Sequence, residues 1–274
     1  MQRFKLLAVG LLCLAAAAGL VDERACARES FRLSPSALSM FGMEGGYVWI
    51  SGNALIPSGG RPGSGELVNV SRELGVDQGE ATSVVFRSVI RKRHMLNIEY
   101  LNFLPNGVKK VERTFVFHNK TYPKGTRVET KLELNWLRLE YGYRFGTGKG
   151  RSVAPRIGLH YITHGLTLIG ETREAGKISN TRRLDGTYPV IGVAAYQKLP
   201  AGFTFSIEME GIHMITSGYL TLVGIGGTWD VYPDVVLTFG GSNRLVRYIE
   251  TNQTLNNQLT YAVFSMTAGV SVTF

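Results

Sequence analysis

The last thirteen residues constrain the fold more than any other feature of the chain. From Ala262 every second residue is apolar, through Phe264, Met266, Ala268, Val270 and Val272 to Phe274. Between them stand Val263, Ser265, Thr267, Gly269, Ser271 and Thr273, small or polar with one exception. A period of two is that of a β-strand, so this segment has one face for an apolar medium and one for a packed interior. A soluble sandwich also ends on alternating strands, but seldom on one so long and so sharply two-faced.

Comparable segments recur upstream. Strands are expected near 41–55, 82–91, 94–117, 126–146, 152–168, 187–198, 203–214, 218–230, 235–250 and 258–274. Their connections alternate in kind. Tight turns of Gly, Pro, Asp or charge fall at Arg91-Lys92-Arg93, Gly146 to Gly150, Leu199 to Gly202 and Tyr232-Pro233-Asp234. Longer connections fall at 56–81, 118–125, 169–186, 215–217 and 251–257, and Leu67 to Val76 is expected to form a helical turn or fold back over the mouth. The reading is an all-β antiparallel structure of ten strands, with eight and twelve as the alternatives.

The N-terminus bears on where such a structure resides. Arg3 and Lys5 precede an apolar run from Leu6 to Leu20, and Ala25-Cys26-Ala27 offers a small-x-small cleavage site. Residues 1–27 are therefore expected to be a signal peptide, and 28–274 a single barrel domain. Both cysteines, Cys13 and Cys26, fall in that leader, which leaves disulfides and thiol chemistry without a residue. After residue 20 there is no stretch of 18 uncharged apolar residues, so no helix is expected to cross a membrane. An exported chain with 33 glycines and 10% aromatic residues then has one membrane solution, a closed barrel.

Phe274, at the end of an apolar strand face, resembles the signal that bacterial outer-membrane proteins present to their assembly machinery. The resemblance is to the class, and it implies a transmembrane barrel in contact with outer-membrane lipid, lipopolysaccharide and that machinery. Aromatics fall where two interfacial belts would lie: Tyr143, Phe145, Phe203, Trp229, Tyr232 and Phe274 at the short-turn end, Trp136, Tyr188 and Tyr219 toward the other. One strand breaks phase, because Leu132, Leu134 and Trp136 alternate in one register and Leu137, Leu139, Tyr141, Tyr143 and Phe145 in the other. A bulge near Trp136–Leu137 is the expected cause.

If the apolar phase faces lipid, the opposite phase turns Glu44, Arg87, Glu99, Arg138, Glu140, Arg144, Arg156, Glu208, Glu210 and Arg244 into the lumen. Basic groups on the lipid face would cost about 2–4 kcal/mol each near the midplane, which forces this assignment. Arginines and carboxylates in a narrow barrel pair with one another, as in small OmpA-like barrels, and plug it. The alternative is a narrow channel or transporter for a small solute. The balance of five acids and five arginines argues against a selectivity surface of one sign.

Catalysis finds little support. Omptin-like proteases match in size, and that resemblance implies paired aspartates facing an Asp–His couple. Here Asp77, Asp185, Asp230 and Asp234 stand singly. Outer-membrane phospholipases and lipid A deacylases imply a His with a nearby Ser, and no His-x-Ser occurs. An outer-membrane hydrolase is the third reading, and no catalytic residue or cofactor is expected. His160 and His164 share a strand face about 13 Å apart, too far for one metal. The net charge of +9 suggests nucleic acid, but export and architecture exclude it. The charge concentrates instead in Lys120, Lys124, Arg127 and Lys131 of the long hairpin and in Arg182 and Arg183 of the 169–186 loop. This basic rim is expected to face lipopolysaccharide phosphates.

Overall fold

A computed structural model describes residues 37–55, 67–117, 120–148, 150–172, 176–214, 218–251 and 256–274. The expected signal peptide, 1–27, lies outside the described residues. Among the described residues fourteen strands occur: β1 (Ala37–Leu55), β2 (Leu67–Asn69), β3 (Gln78–Ile90), β4 (His94–Lys110), β5 (Phe115–Phe117), β6 (Lys120–Tyr122), β7 (Arg127–Tyr143), β8 (Phe145–Gly148), β9 (Arg151–Thr172), β10 (Gly176–Lys198), β11 (Phe203–Met214), β12 (Gly218–Tyr232), β13 (Val235–Thr251) and β14 (Asn256–Thr273). Among the described residues no helix is long and apolar enough to cross a membrane.

Ten of these strands close a ring. Each of β1, β3, β4, β7, β9, β10, β11, β12, β13 and β14 pairs antiparallel with the next, and β14 returns to β1 over Met40↔Thr273 to Leu55↔Gln258. The seam ends where the Ser39 and Phe274 amides and carbonyls bond each other, at 3.1 and 2.9 Å. Closure removes the sheet edges that would otherwise leave backbone groups bare in lipid.

The expected bulge at Trp136–Leu137 is absent. The pairing of β7 with β9 runs without a shift from Arg127↔Glu171 to Gly142↔Arg156. What changes is the medium outside. On β7, Leu137, Leu139 and Tyr141 face outward and are exposed, and Arg138 and Glu140 are buried inside. Farther along the same strand Arg127, Lys131 and Glu133 face outward, and Leu132, Leu134 and Trp136 are the buried ones. β9 repeats the inversion: Ile157, Leu159 and Tyr161 outside give way to Thr163, Gly165 and Thr167, as Ile162, Leu166 and Leu168 become buried inside. The outward apolar band runs from 137 to 145, over the end of β7 and the start of β8, and from 153 to 161 on β9. Nine tilted residues span roughly 20–25 Å, the height of a hydrocarbon band. Beyond it β7, β9 and β10 continue as a barrel with water outside and a hydrophobic core within.

Three other expectations change for the same reason. Trp136 and Tyr188 are not belt aromatics, because both are buried in that upper core. The belt there is built instead from Tyr47, Trp49, Tyr100, Tyr161 and Phe264, all exposed. The expected loop 169–186 is mostly strand, since β9 and β10 stay paired out to Thr172↔Gly176. The segment 94–117 is divided, β4 ending at Lys110 before the small β5–β6 hairpin.

Candidate functional site: the lumen network and its extracellular cap

The lumen at membrane depth is filled by charge. Arg138 reaches Glu99 at 2.5 Å, Glu140 at 2.7 Å, Glu210 at 3.1 Å and Glu208 at 3.6 Å. Arg156 approaches Glu208 at 2.7 Å, Glu210 at 3.2 Å and Glu140 at 3.3 Å, and its other nitrogen donates to the Tyr196 hydroxyl. The Nε2 atom of His160 lies 3.1 Å from Glu140 and 3.3 Å from Glu210. Asn97 donates to Glu140 at 3.1 Å and accepts from Arg87 at 3.3 Å. Arg87 in turn lies 4.0 Å from Glu44. Such a network is stable only while every charge keeps a partner.

Backbone register makes room for it. Glu44, Glu140, Glu208 and Glu210 each sit directly across from a glycine: Gly269, Gly158, Gly224 and Gly192. A Cβ at Gly192 would lie 2.4 Å from the Glu210 Cγ, and one at Gly158 would lie 2.9 Å from the Glu140 Cγ. The carboxylate stems lie over bare backbone.

Two of the ten expected lumen charges pair with no carboxylate among the described residues. Arg244 lies with its guanidinium carbon 5.4 Å from the Trp136 ring and 5.6 Å from Phe103, and donates to Ser265 at 3.0 Å. It stands where the interior turns apolar, so aromatic faces replace anions. Arg144 stacks over Tyr196 at 4.9 Å, at the short-turn end. The two histidines also part company: His164 meets the Tyr261 hydroxyl at 3.0 Å, away from the His160 junction. Glu140, His160 and Glu210 bring ligand atoms within 4.8 Å of one another. The same carboxylates already meet guanidinium nitrogens, which would repel a cation, so the trio is an ion-pair junction.

Above the charged layer lies an apolar one. Phe103, Leu134, Trp136, Ile162, Leu168, Leu220 and Val263 are buried inside the ring. The mouth is capped by two segments. After β2 the chain makes a helical turn, with Glu73 N–H bonded to Asn69 O and Gly75 N–H to Ser71 O, and buries Val70, Leu74 and Val76. The β5–β6 hairpin folds inward, so that Phe115 stacks on Tyr122 at 5.2 Å and the Tyr122 hydroxyl donates to the Leu168 carbonyl at 3.2 Å. Burial pushes the Tyr122 hydroxyl up to about 12. Arg113 ties the two caps together through Glu73 at 2.6 Å, and that hydrogen bond holds the Glu73 carboxyl below its ordinary value. A void lined by His164, Arg182 and Leu259, among others, measures about 10 Å³, room for one water at most. The inward aromatics of this cap were not expected from sequence, although Phe115, Phe117 and Tyr122 stand at alternating positions about a short turn.

No family model matches the chain, and no curated protein does. Among solved structures, the outer membrane protease OmpT of Escherichia coli aligns with a TM-score of 0.56 at 10% identity, over 88% of this chain and 98% of that one. The translocator domain of the autotransporter NalP of Neisseria meningitidis gives 0.40 at 11%, over 95% and 97% of the two chains. Ail of Yersinia pestis gives 0.35 at 8%, over 86% and 99%. The likeness to that protease takes in most of both chains.

The chain has the fold of the bacterial outer-membrane β-barrels.

At such identity the likeness concerns the fold. On the long-loop side of the barrel, Lys120, Lys124, Arg127, Lys131 and Arg183 are exposed, with Lys131 3.1 Å from Glu129. Arg182 departs from the expected rim, because it is on the inward phase of β10 and lines the void beside His164. Phe274 follows β14 in the outward phase and is 49% exposed.

Proposed function

We propose that this outer-membrane barrel is a non-conducting, non-catalytic binding protein whose extracellular extension holds lipopolysaccharide phosphates on its outer wall. The observation that carries the reading is the doubly filled interior, an ion-pair layer surmounted by a capped apolar core. A solute path would have to cross both. A catalytic mouth would need converging acid, base and nucleophile, whereas Asp77, Asp185, Asp230 and Asp234 are exposed on separate segments. The outer wall instead offers exposed cations beyond the apolar band, suited to charge-assisted pairing with phosphate.

Two measurements test this. Planar-bilayer recording of the refolded protein is expected to give no porin-sized steps, and such steps would promote the channel reading. Neutralising Lys120, Lys124, Arg127 and Arg183 together is expected to weaken lipopolysaccharide binding at low ionic strength, where exposed charges are least screened. Undiminished binding would remove the basic wall as the site.

A further inference from the structure

The opposite rim of the barrel carries a charge pattern that the lumen and the cap do not explain. The sequence has no Asp or Glu in 86–98, 141–159 or 189–207, the three stretches that hold the β3–β4, β7–β9 and β10–β11 turns. These turns are neighbours around the ring. Basic residues gather there, and the first turn, Arg91-Lys92-Arg93, is basic and exposed throughout.

That turn is also built against local preference. The Arg93 N–H bonds to the Ile90 carbonyl at 3.2 Å, and Arg91 and Lys92 between them have φ of 50° and 61°. Positive φ at both central residues is the signature of a turn that favours Asn-Gly, and long cationic side chains are unfavourable in it. Strained positions of this kind mark sites where the side chains serve something other than the fold. The side chains are also aimed. The Arg93 guanidinium donates to the Tyr143 hydroxyl at 3.0 Å, and the neighbouring His94 ring meets the Tyr141 hydroxyl at 2.7 Å. Tyr141 and Ile90 are exposed on the apolar band. The turn therefore places three cations at the edge of the lipid-facing surface, at headgroup depth on the short-turn side.

We propose that the Arg91–Lys92–Arg93 turn clamps the phosphate of an anionic glycerophospholipid in the inner, periplasmic leaflet, with acyl chains along Ile90, Tyr141 and Tyr143. Cations at a leaflet surface attract anionic lipid, and apolar side chains beside them hold the tails. This rests on the barrel's placement in the membrane and is independent of the lipopolysaccharide reading.

The test is lipid retention by native mass spectrometry of the full-length barrel in detergent, supplied with phosphatidylglycerol or phosphatidylcholine. Wild type is expected to retain phosphatidylglycerol preferentially at low salt, and each cation removed should cost about fivefold in affinity. Two variants separate binding from folding. Arg91→Gln, Lys92→Gln and Arg93→Gln together should lose the preference and keep the gel mobility of the folded barrel. Arg91→Asn with Lys92→Gly should raise thermal stability, because it installs the residues the turn favours, and should still weaken retention. Equal retention of the two lipids by wild type would overturn the clamp, and so would a stabilised Arg91→Asn, Lys92→Gly variant that retains phosphatidylglycerol as wild type does. Neutralising Lys120, Lys124 and Arg127 on the other rim should leave phosphatidylglycerol retention unchanged.

Discussion

Arg138→Ala is the substitution the barrel should tolerate least. Its side chain is 3% exposed and serves four carboxylates, and Glu99 has no other ion-pair partner among the described residues. Without it, Arg156 still faces Glu140, Glu208 and Glu210 and His160 faces Glu140 and Glu210, but neither reaches Glu99. Breaking a buried pair from one side costs about 3–5 kcal/mol, and the number of carboxylates left short puts this variant at the upper end. Glu99→Gln should cost less, since Arg138 keeps three partners. Combined, the two changes should destabilise less than their sum by about 1–3 kcal/mol, because Arg138→Ala no longer strands a charge at 99. Arg244→Ala is the control: it removes contacts to two aromatic rings and strands no paired carboxylate, so its deficit should be smaller. Urea unfolding of the barrel in micelles, followed by tryptophan fluorescence and by the mobility of unboiled samples, measures all four. An Arg138→Ala deficit below about 1 kcal/mol, or strict additivity with Glu99→Gln, would refute the reasoning.

Gly192→Ala should destabilise by about 1–3 kcal/mol through overpacking, since its Cβ would meet both the Glu210 stem and the Met209 carbonyl; the same urea titration reads it. Tyr122 raises stability below pH 10, and that contribution should fall between pH 10 and about 12, because the unfolded chain releases the phenolic proton first; base titration of Tyr122→Phe against wild type isolates it. The Glu73–Arg113 tie works in the other direction: the lowered carboxyl stabilises the cap above about pH 4.5 and the gain is lost as pH falls through its folded value, which hydrogen exchange in 67–77 should report and Glu73→Gln should abolish. Deleting Phe274 should reduce outer-membrane levels more than Phe274→Tyr does, measured by immunoblot of membrane fractions; equal levels would remove its role in assembly.

The ring was legible because its signal is local. Alternation along 262–274 and the tight turns at 91–93 and 232–234 identify strands and their order without any knowledge of partners. The inverted upper half was not, because periodicity reports which face is apolar and not what lies outside it. Trp136 followed by Leu137 reads equally as a slipped register or as a constant register crossing from water to lipid. The discriminating signal was comparative: Tyr100–Leu101 and Tyr161–Ile162 make the same switch and lie level with Trp136–Leu137 across paired strands. A bulge in one strand would not recur in step in its neighbours. In the lumen, residue types were readable but pairing was not. Arg138 and Arg244 look alike on a strand, and only the closed ring puts four carboxylates about one and two aromatic rings about the other. The glycine opposite each of four carboxylates is likewise a property of register.

The inversion has a consequence for how tolerance to mutation is distributed. One wall separates lipid from salt-like packing below and water from an oil-like interior above, so the two radial gradients run in opposite directions along a strand. A lysine should therefore be costly at 139 on the outside and at 134 on the inside, yet tolerated at 133 on the outside, one strand obeying two opposite codes a few residues apart. The upper code needs no bilayer. The cap and its core can evolve, and be engineered, by the rules of a water-soluble barrel while the ring beneath keeps its place in the membrane.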